Sequence, residues 1–285
     1  MTLPPLDQIV FDSPIARVGA FRCAVTDPRF CNSGPIERHL VAFPRTPVTI
    51  RQSGSAPIIA DTRVATIYNR GREYERIPLS TDGDRCDWFA VSPEMALAIA
   101  REHDPDSSGE PETVFRFEYA MTDSALYLEQ RMLFHRLQRG GLEDLEAEEE
   151  ILRLIGAVLH RAAGDRPRFA GLSARGARAR RSLVAAAREL LASEFTQSTD
   201  LSSLARRLDT SPYHLCRVFR EGTGITLNTY RLDLRLRLAI ERLADPRADL
   251  SRLAQDLGFS SHSHFTARLR RWFGTPPSAL RAALQ

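Results

Sequence analysis

Between residues 35 and 118, apolar and polar positions alternate in short runs rich in Val, Ile, Tyr and Phe, at 38–43, 48–52, 58–68, 74–78, 88–91 and 113–119. Turn-forming stretches divide them: Gln52-Ser53-Gly54-Ser55, Asn69-Arg70-Gly71 and Thr81-Asp82-Gly83-Asp84. The pattern predicts a small antiparallel sheet, closed as a sandwich or barrel, with a short helix over 92–102 and a loop over 104–112. Beyond residue 120 the period lengthens. Segments 121–137 and 142–163 carry helical spacing on either side of Arg139-Gly140-Gly141, which predicts an αα-hairpin. In its second helix Leu145, Leu152 and Leu159 recur every seven residues, and Ile151, Ile155 and Val158 widen the stripe. Such a stripe either packs on its own sheet and hairpin mate or forms a homodimer seam through 121–163.

The stretch 165–181 holds six arginines, Gly171 and Gly176 without periodicity, and reads as a basic linker. It separates residues 1–164 from residues 182–285. The second region contains a duplication. Residues 200–211 (DLSSLARRLDTS) and 249–260 (DLSRLAQDLGFS) share seven of twelve residues at an offset of 49. In each copy Leu201/Leu250, Leu204/Leu253, Ala205/Ala254 and Leu208/Leu257 fall on one face of a short helix that Asp200 or Asp249 can cap. A second helix follows each copy. One begins at Ser211-Pro212 and buries Leu215, Val218 and Phe219; the other begins at Ser260 or Ser261 and buries Phe265 and Leu269. A linker of three or four residues between the helices of each pair suits a steep crossing, the shape of a helix-turn-helix. An amphipathic connector over 226–243, with Leu227, Tyr230, Leu234 and Leu238 on one side, joins the two. At 1.5 Å per residue it is ~27 Å long, close to the ~34 Å repeat of the major groove.

Composition sharpens this division. The chain of 285 residues is 43% hydrophobic, enough for two cores, and is expected to be an α+β two-domain protein. Its net charge of +3 conceals an asymmetry: residues 1–164 hold 18 Arg against 25 acidic residues, whereas residues 165–285 hold 21 Arg against 11. A basic module joined to an acidic one points to a polyanion partner for the basic half and a separate task for the acidic half. There is no lysine, so every permanent side-chain cation is a guanidinium, a planar fork suited to phosphates and guanine edges. The longest apolar run is 95–100 and residues 1–21 lack the pattern of a secretory leader, so the expected location is the cytoplasm, with no membrane partner. Cys23, Cys31, Cys86 and Cys216 form no CxxC pair and are expected as free thiols.

The segment 181–284 resembles the DNA-binding domain of the AraC/XylS transcriptional regulators. The resemblance rests on DLSSLARRLDTSPYHLCRVFREGTG, the connector TLNTYRLDLRLRLAIERLAD, and LSRLAQDLGFSSHSHFTARLRRWFGTPPSALR. Its most specific part runs from Gly258-Phe259 through Phe265, with Phe273-Gly274 and Pro277 before Arg281. The resemblance implies an N-terminal cupin-like β-barrel with a helical hairpin that senses an effector and dimerises, and an all-α double helix-turn-helix that binds double-stranded promoter DNA. It also implies activation through contact with RNA polymerase.

Carried onto this chain, the reading positions of the first recognition helix are Tyr213, Cys216 and Arg217, with His214 near the backbone and Arg220 either neutralising a phosphate or sitting in water. In the second they are His262, Ser263, His264 and Thr266. Relatives often place Arg two residues beyond the Phe; here that position is Ala267, and Arg268 is displaced by ~100° around the helix. Either the second helix reads its groove weakly through histidines and small hydroxyls or Arg268 serves phosphate; uneven readout is favoured, the first helix carrying more specificity and the second mostly positioning the protein. Arg231, Arg270 and Arg271 are expected to neutralise phosphates or sit in water.

In the acidic half His39, His103, His135 and His160 form no His-x-His pair, so a metal-dependent cupin enzyme is not expected and no cofactor is assigned. A looser metal or thiol-sensing set remains in Cys23, Cys31, His39 and Cys86. Phe43, Tyr68, Trp88 and Phe89 are expected in the core rather than as pocket walls. The competing reading of the whole chain is a cupin-type small-molecule-binding protein or enzyme with a helical interaction tail.

Overall fold

In the computed structural model, which describes residues 5–104, 106, 107, 110, 112–164, 169, 172–245 and 247–284, the chain divides into two units after residue 165. The first contains β1 (Asp7–Asp12), β2 (Ala16–Cys23), β3 (His39–Pro44), β4 (Val48–Gln52), β5 (Ile58–Ala60), β6 (Val64–Tyr68), β7 (Tyr74–Pro78), β8 (Asp84–Val91), α1 (Pro93–His103), β9 (Tyr119–Met121), α2 (Ser124–Gln138) and α3 (Asp144–Gly164). Six strands pair antiparallel in the order β1-β2-β8-β3-β6-β9, and a smaller sheet has the order β5-β4-β7.

Because successive side chains of a strand point to opposite faces, the larger sheet feeds two cores. Val18, Val41, Phe43, Ile67, Phe89 and Val91 pack with residues of α1, α2 and α3. Phe21, Cys23, Ala42 and Tyr68 pack with Val48, Ile50 and Ala60 of the smaller sheet. A sheet covered on both sides reads as nearly continuous apolar sequence, which is why β2 and β6 show little alternation. The two sheets also enclose a cavity of about 260 Å³ whose lining includes Leu40, Ile50, Tyr68, Tyr74 and Trp88. Of the four aromatics assigned to the core, Phe43, Phe89 and Tyr68 lie there and Trp88 packs against it; Tyr68 and Trp88 also line this cavity.

Several sequence expectations are corrected. The run 58–68 is two strands in different sheets, because Asp61 makes a turn: its carbonyl accepts from Val64 N at 2.9 Å and its carboxylate from Arg63 N at 2.9 Å. The run 113–119 becomes a strand only at its end. Phe115 instead exchanges bonds with the Asn69 side chain, which donates to Phe115 O at 2.7 Å and accepts from Phe115 N at 2.9 Å. Strands β1 and β2 precede the first expected run. Gly19 stands in the middle of β2, where the Trp88 indole occupies the space above it, 2.5 Å from where a Cβ would stand. The stripe of α3 is consumed within the unit: Ile151, Ile155, Val158 and Leu159 are core residues, and only Leu145 is left largely exposed. A homodimer through 121–163 would need other residues.

The second unit contains α4 (Ala174–Glu194), α5 (Leu201–Arg207), α6 (Pro212–Thr223), α7 (Leu227–Leu243), α8 (Leu250–Asp256), α9 (His262–Phe273) and α10 (Pro277–Leu284). Helix α4 begins inside the stretch read as linker. Ser173 caps it by accepting from Gly176 N at 3.2 Å, and its apolar stripe starts with Ala177, too small to register among the arginines. Residues 165–168, 170 and 171 of that stretch lie outside the described residues. The repeat is visible in the caps: Asp200 and Asp249 accept from the first turns of α5 and α8, and Ser211 and Ser261 from those of α6 and α9. Each turn between paired helices needs one left-handed residue, supplied by Asp209 (φ 49°) in the first copy and Gly258 (φ 73°) at the matching position of the second. The second turn is one residue longer, so the offset becomes 50 from Ser261 onward.

Two measurements test these packing statements. Gly258→Ala combines a left-handed φ with a Cβ 2.8 Å from Thr196 O, and should destabilise the unit by about 1–3 kcal/mol in urea denaturation. Asp209→Gly, which relaxes the same kind of turn, should change stability by less than about 1 kcal/mol. In the first unit Asp84 is buried beside Arg76 (3.4 Å), and its pKa is raised to about 6, burial outweighing the Arg76 charge. A raised carboxyl pKa means the folded unit holds the proton more tightly than the unfolded chain, so this contribution is present at low pH and lost as pH rises through about 6. The unfolding free energy of the wild type minus that of Asp84→Asn should therefore decrease from about pH 4 to about pH 7; an increase excludes the assignment.

Candidate nucleic-acid interface

Helix α6 owes its orientation to Leu215, Val218 and Phe219, all fully buried, with Phe219 edge-on to Tyr230 of α7 at 5.4 Å. The opposite face is free. Tyr213 is 79% exposed, Cys216, Arg217 and Arg220 are exposed, and His214 is half-buried. The Arg217 guanidinium lies between two neighbours on its own helix: Nη1 donates to Glu221 Oε1 at 3.4 Å, and Nη2 is 3.4 Å from His214 Nδ1.

Helix α9 repeats this geometry around buried Phe265 and Leu269. Its free face divides the expected reading residues into two groups. His262, Ser263 and Thr266 line one shallow surface together with Ala267, Arg270, Arg271 and Gly274. His264 and Arg268 stand to the side: Arg268 Nε donates to His264 Nε2 at 3.2 Å, His264 Nδ1 lies 3.1 Å from Ser260 Oγ, and the imidazole packs edge-on to Phe259. Arg270 and Arg271, read from sequence only as phosphate contacts or solvated side chains, therefore share a surface with the reading candidates. The signal for them is helical spacing, since 262–266–270 and 263–267–271 run along one side.

The two helices are held by α7, where Asp233 and Arg237 are fully buried. Asp233 Oδ2 pairs with Arg237 Nε at 3.0 Å and Oδ1 accepts from Trp272 Nε1 of α9 at 2.6 Å. Arg235, midway between Asp233 and Arg237 in sequence, donates to the carbonyls of Phe195, Gln197 (3.0 Å) and Gly258 (3.1 Å). Burial, and after it the charge of Arg231, lowers the Arg235 pKa.

The looser set in the first unit is not brought together. Cys23 is buried, Cys86 half-buried and Cys31 exposed; all four cysteines of the chain are free thiols. Burial raises the pKa of the Cys23 and Cys86 thiols. His39 is buried with its Nδ1 3.3 Å from Asn69 Oδ1 and its ring edge-on to Phe115, and burial lowers its pKa. Among the described residues no group of three or more His, Cys, Asp or Glu side chains is placed to hold a metal ion. Among them, too, no helix is long and apolar enough to cross a membrane.

Residues 204–283 match the family described as a helix-turn-helix domain. The HTH-type transcriptional regulator GlxA of Rhizobium meliloti is 42% identical over 84 residues, 29% of this chain and 25% of that protein. The arabinose operon regulatory protein of Escherichia coli is 28% identical over 86 residues, 30% of each chain, and the Msm operon regulatory protein of Streptococcus mutans is 24% identical over 98 residues, 34% of this chain and 35% of that one. The match thus spans about a third or less of these relatives' length. Among solved structures, ToxT from Vibrio cholerae aligns with 96% of this chain and 99% of its own, at 11% identity and a TM-score of 0.40. The duplicated helical unit and these matches identify residues 204–283 as a helix-turn-helix domain similar to those of the AraC/XylS type of transcriptional regulators.

Proposed function

We propose that this chain binds promoter DNA by placing α6 and α9 in successive major grooves, and that it activates transcription in response to a small-molecule effector taken up by the first unit. The observation that carries the reading is the repeated geometry of α6 and α9: each buries an apolar face against its own unit and leaves an arginine-bearing face free. A bare helix matches the width of the major groove. Helix α7, 17 residues long, spans about 26 Å and ties both copies into one body.

In this reading Arg217 takes the O6 and N7 of a guanine, Tyr213 and Cys216 contact neighbouring base edges, and His214 and Arg220 meet the backbone. On α9, His262, Ser263 and Thr266 approach the bases with Ala267 at the centre, where no cation is available. Arg270 and Arg271 hold phosphates, and the His264–Arg268 pair reaches the flanking strand. Specificity is therefore uneven, with α6 the stronger reader. The effector occupies the cavity between the two sheets of the first unit, shifting the population competent to bind DNA, and DNA and effector bias each other's binding equally. RNA polymerase is the partner of an activator of this kind, a homodimer is its working assembly, and it acts in the cytoplasm by binding, not as an enzyme.

Fluorescence anisotropy with the full chain, a duplex from the region upstream of its own gene and a scrambled duplex tests the reading. Arg217→Ala should lose about 1–3 kcal/mol of discrimination between the duplexes. Arg270→Ala or Arg271→Ala should weaken both duplexes alike and lower the log–log salt slope by about one. Equal binding of both duplexes by the wild type at about 100 mM salt would rule out sequence-specific regulation.

A further inference from the structure

Glu221 is the only acidic residue of α6, and it stands where α9 carries Arg271. A carboxylate on a helix that faces phosphates repels them, so its presence there needs a compensating contact. Its two oxygens are divided between two arginines. Oε1 accepts from Arg217 at 3.4 Å, and Oε2 pairs with Arg180 Nη1 of α4 at 2.5 Å.

The surroundings are specific to the first copy. The Arg180 guanidinium also lies over the ring of Phe169 at 5.8 Å, and Phe169 has a left-handed φ of 69°. Beside Glu221, Gly222 leaves the space these groups need: a Cβ there would stand 2.7 Å from Val184 Cγ2 and 3.0 Å from Phe169 Cζ. The matching position of α9 is Trp272, which turns to Asp233 instead. So α6 is cut to fit α4 and Phe169, whereas α9 is not.

Arg217 gains a fixed orientation from this arrangement. Its fork is bracketed by Glu221 on one side and His214 on the other, and each of its two terminal nitrogens keeps a second N–H for another acceptor. A guanidinium already held in place loses less freedom when it meets a base. We propose that Glu221 is a positioning residue for base readout, holding the Arg217 fork toward a guanine edge, while Arg180 engages the other carboxylate oxygen and screens its charge from the phosphates. Without Arg180 both oxygens turn to Arg217, and the carboxylate competes with the base for the fork. The inference rests on the reading of α6 as a DNA-reading helix, and the experiment separates the two.

The full chain is used to select bound duplexes from a random library, and preferences are compared among wild type, Arg217→Ala, Glu221→Gln, Arg180→Ala and the Arg180→Ala/Glu221→Gln double variant. Arg217→Ala identifies the base pair whose preference, about 5- to 150-fold in the wild type, depends on that side chain. Glu221→Gln should lower the preference at that same base pair by about two- to fivefold, leave other positions unchanged, and not weaken binding to scrambled duplex. Arg180→Ala should lower the same preference, and the double variant should fall no further than Glu221→Gln alone, because Arg180 acts through the carboxylate. Glu221 is exposed, so an unchanged thermal midpoint is expected and excludes a folding effect. A wild-type preference in Glu221→Gln, or a loss spread evenly over all positions, overturns the proposal while leaving α6 a reader. An Arg217→Ala variant with unaltered preferences overturns both.

Discussion

The second unit depends on one buried carboxylate. Asp233 sits in the middle of α7 with no access to solvent, paired with Arg237 one turn on and accepting the Trp272 indole N–H from α9. Removing such a pair from water is costly, and the charge–charge attraction seldom repays it in full. What it gains is position. The indole bond fixes the C-terminal end of α9 to a defined point on the connector, and Arg235 ties the turn before α9 to the segment after α4 through three carbonyls. The other end of α7 belongs to the first copy, where Tyr230 packs on Phe219 and its hydroxyl accepts from Arg188 of α4 at 2.9 Å. The two helix-turn-helix copies are thus parts of one body sharing a helix, not modules on a flexible string.

Within that body the copies match at the buried pairs Leu215/Phe265 and Phe219/Leu269, differ at buried Val218 against exposed Arg268, and otherwise differ where they are exposed. Leu215 and Phe265, like Phe219 and Leu269, answer the same packing demand from opposite ends of the unit. The outward positions carry Arg217 against Ala267 and Glu221 against Arg271, and the half-buried rim carries Gly222 against Trp272. Duplication supplied the scaffold, and the differences concentrate on surfaces that meet something else. Two unlike exposed helix faces on a single chain fit the proposed reading of an asymmetric site, whereas a symmetric dimer of one helix-turn-helix requires a palindrome.

The legible and illegible parts of this chain separate along the same physical line. The repeat, the caps at Asp200, Ser211, Asp249 and Ser261, and the free positions Tyr213 and Arg217 follow from local chemistry and helical period alone. The region read as linker conceals the first turns of α4, because a stripe of alanines among arginines gives almost no periodic contrast. Strand β2 is equally hidden: both its faces are covered and Gly19 makes room for an indole 69 residues away in sequence, so neither alternation nor turn chemistry marks it. At the site, Glu221 can be seen as an acid on a basic helix, but its partner Arg180 lies 41 positions earlier, and only the tertiary fold joins them. The metal candidates failed for the converse reason. Residue type suggested a set that the sheet register does not assemble.

The first unit applies the same economy of shared elements to a sheet. Strand β8 lies between β2 and β3 and its alternate residues serve both layers. Cys86 and Trp88 face the cavity, with Trp88 reaching Asp7 of β1 at 2.6 Å, whereas Asp87 and Phe89 face the helices. Asp87 is fully buried among Arg131 and Gln130 of α2 and Arg45, and Arg131 in turn meets His135 at 2.9 Å. A buried carboxylate with charged partners tolerates little displacement, because any lost contact leaves an uncompensated charge. The side chains on either side of the strand hang from one backbone, so the cavity wall at Trp88 and the Asp87 contacts with α2 are both set by the placement of β8. The cavity and the helical layer thus share one strand, because a pleated strand presents alternate side chains to opposite faces.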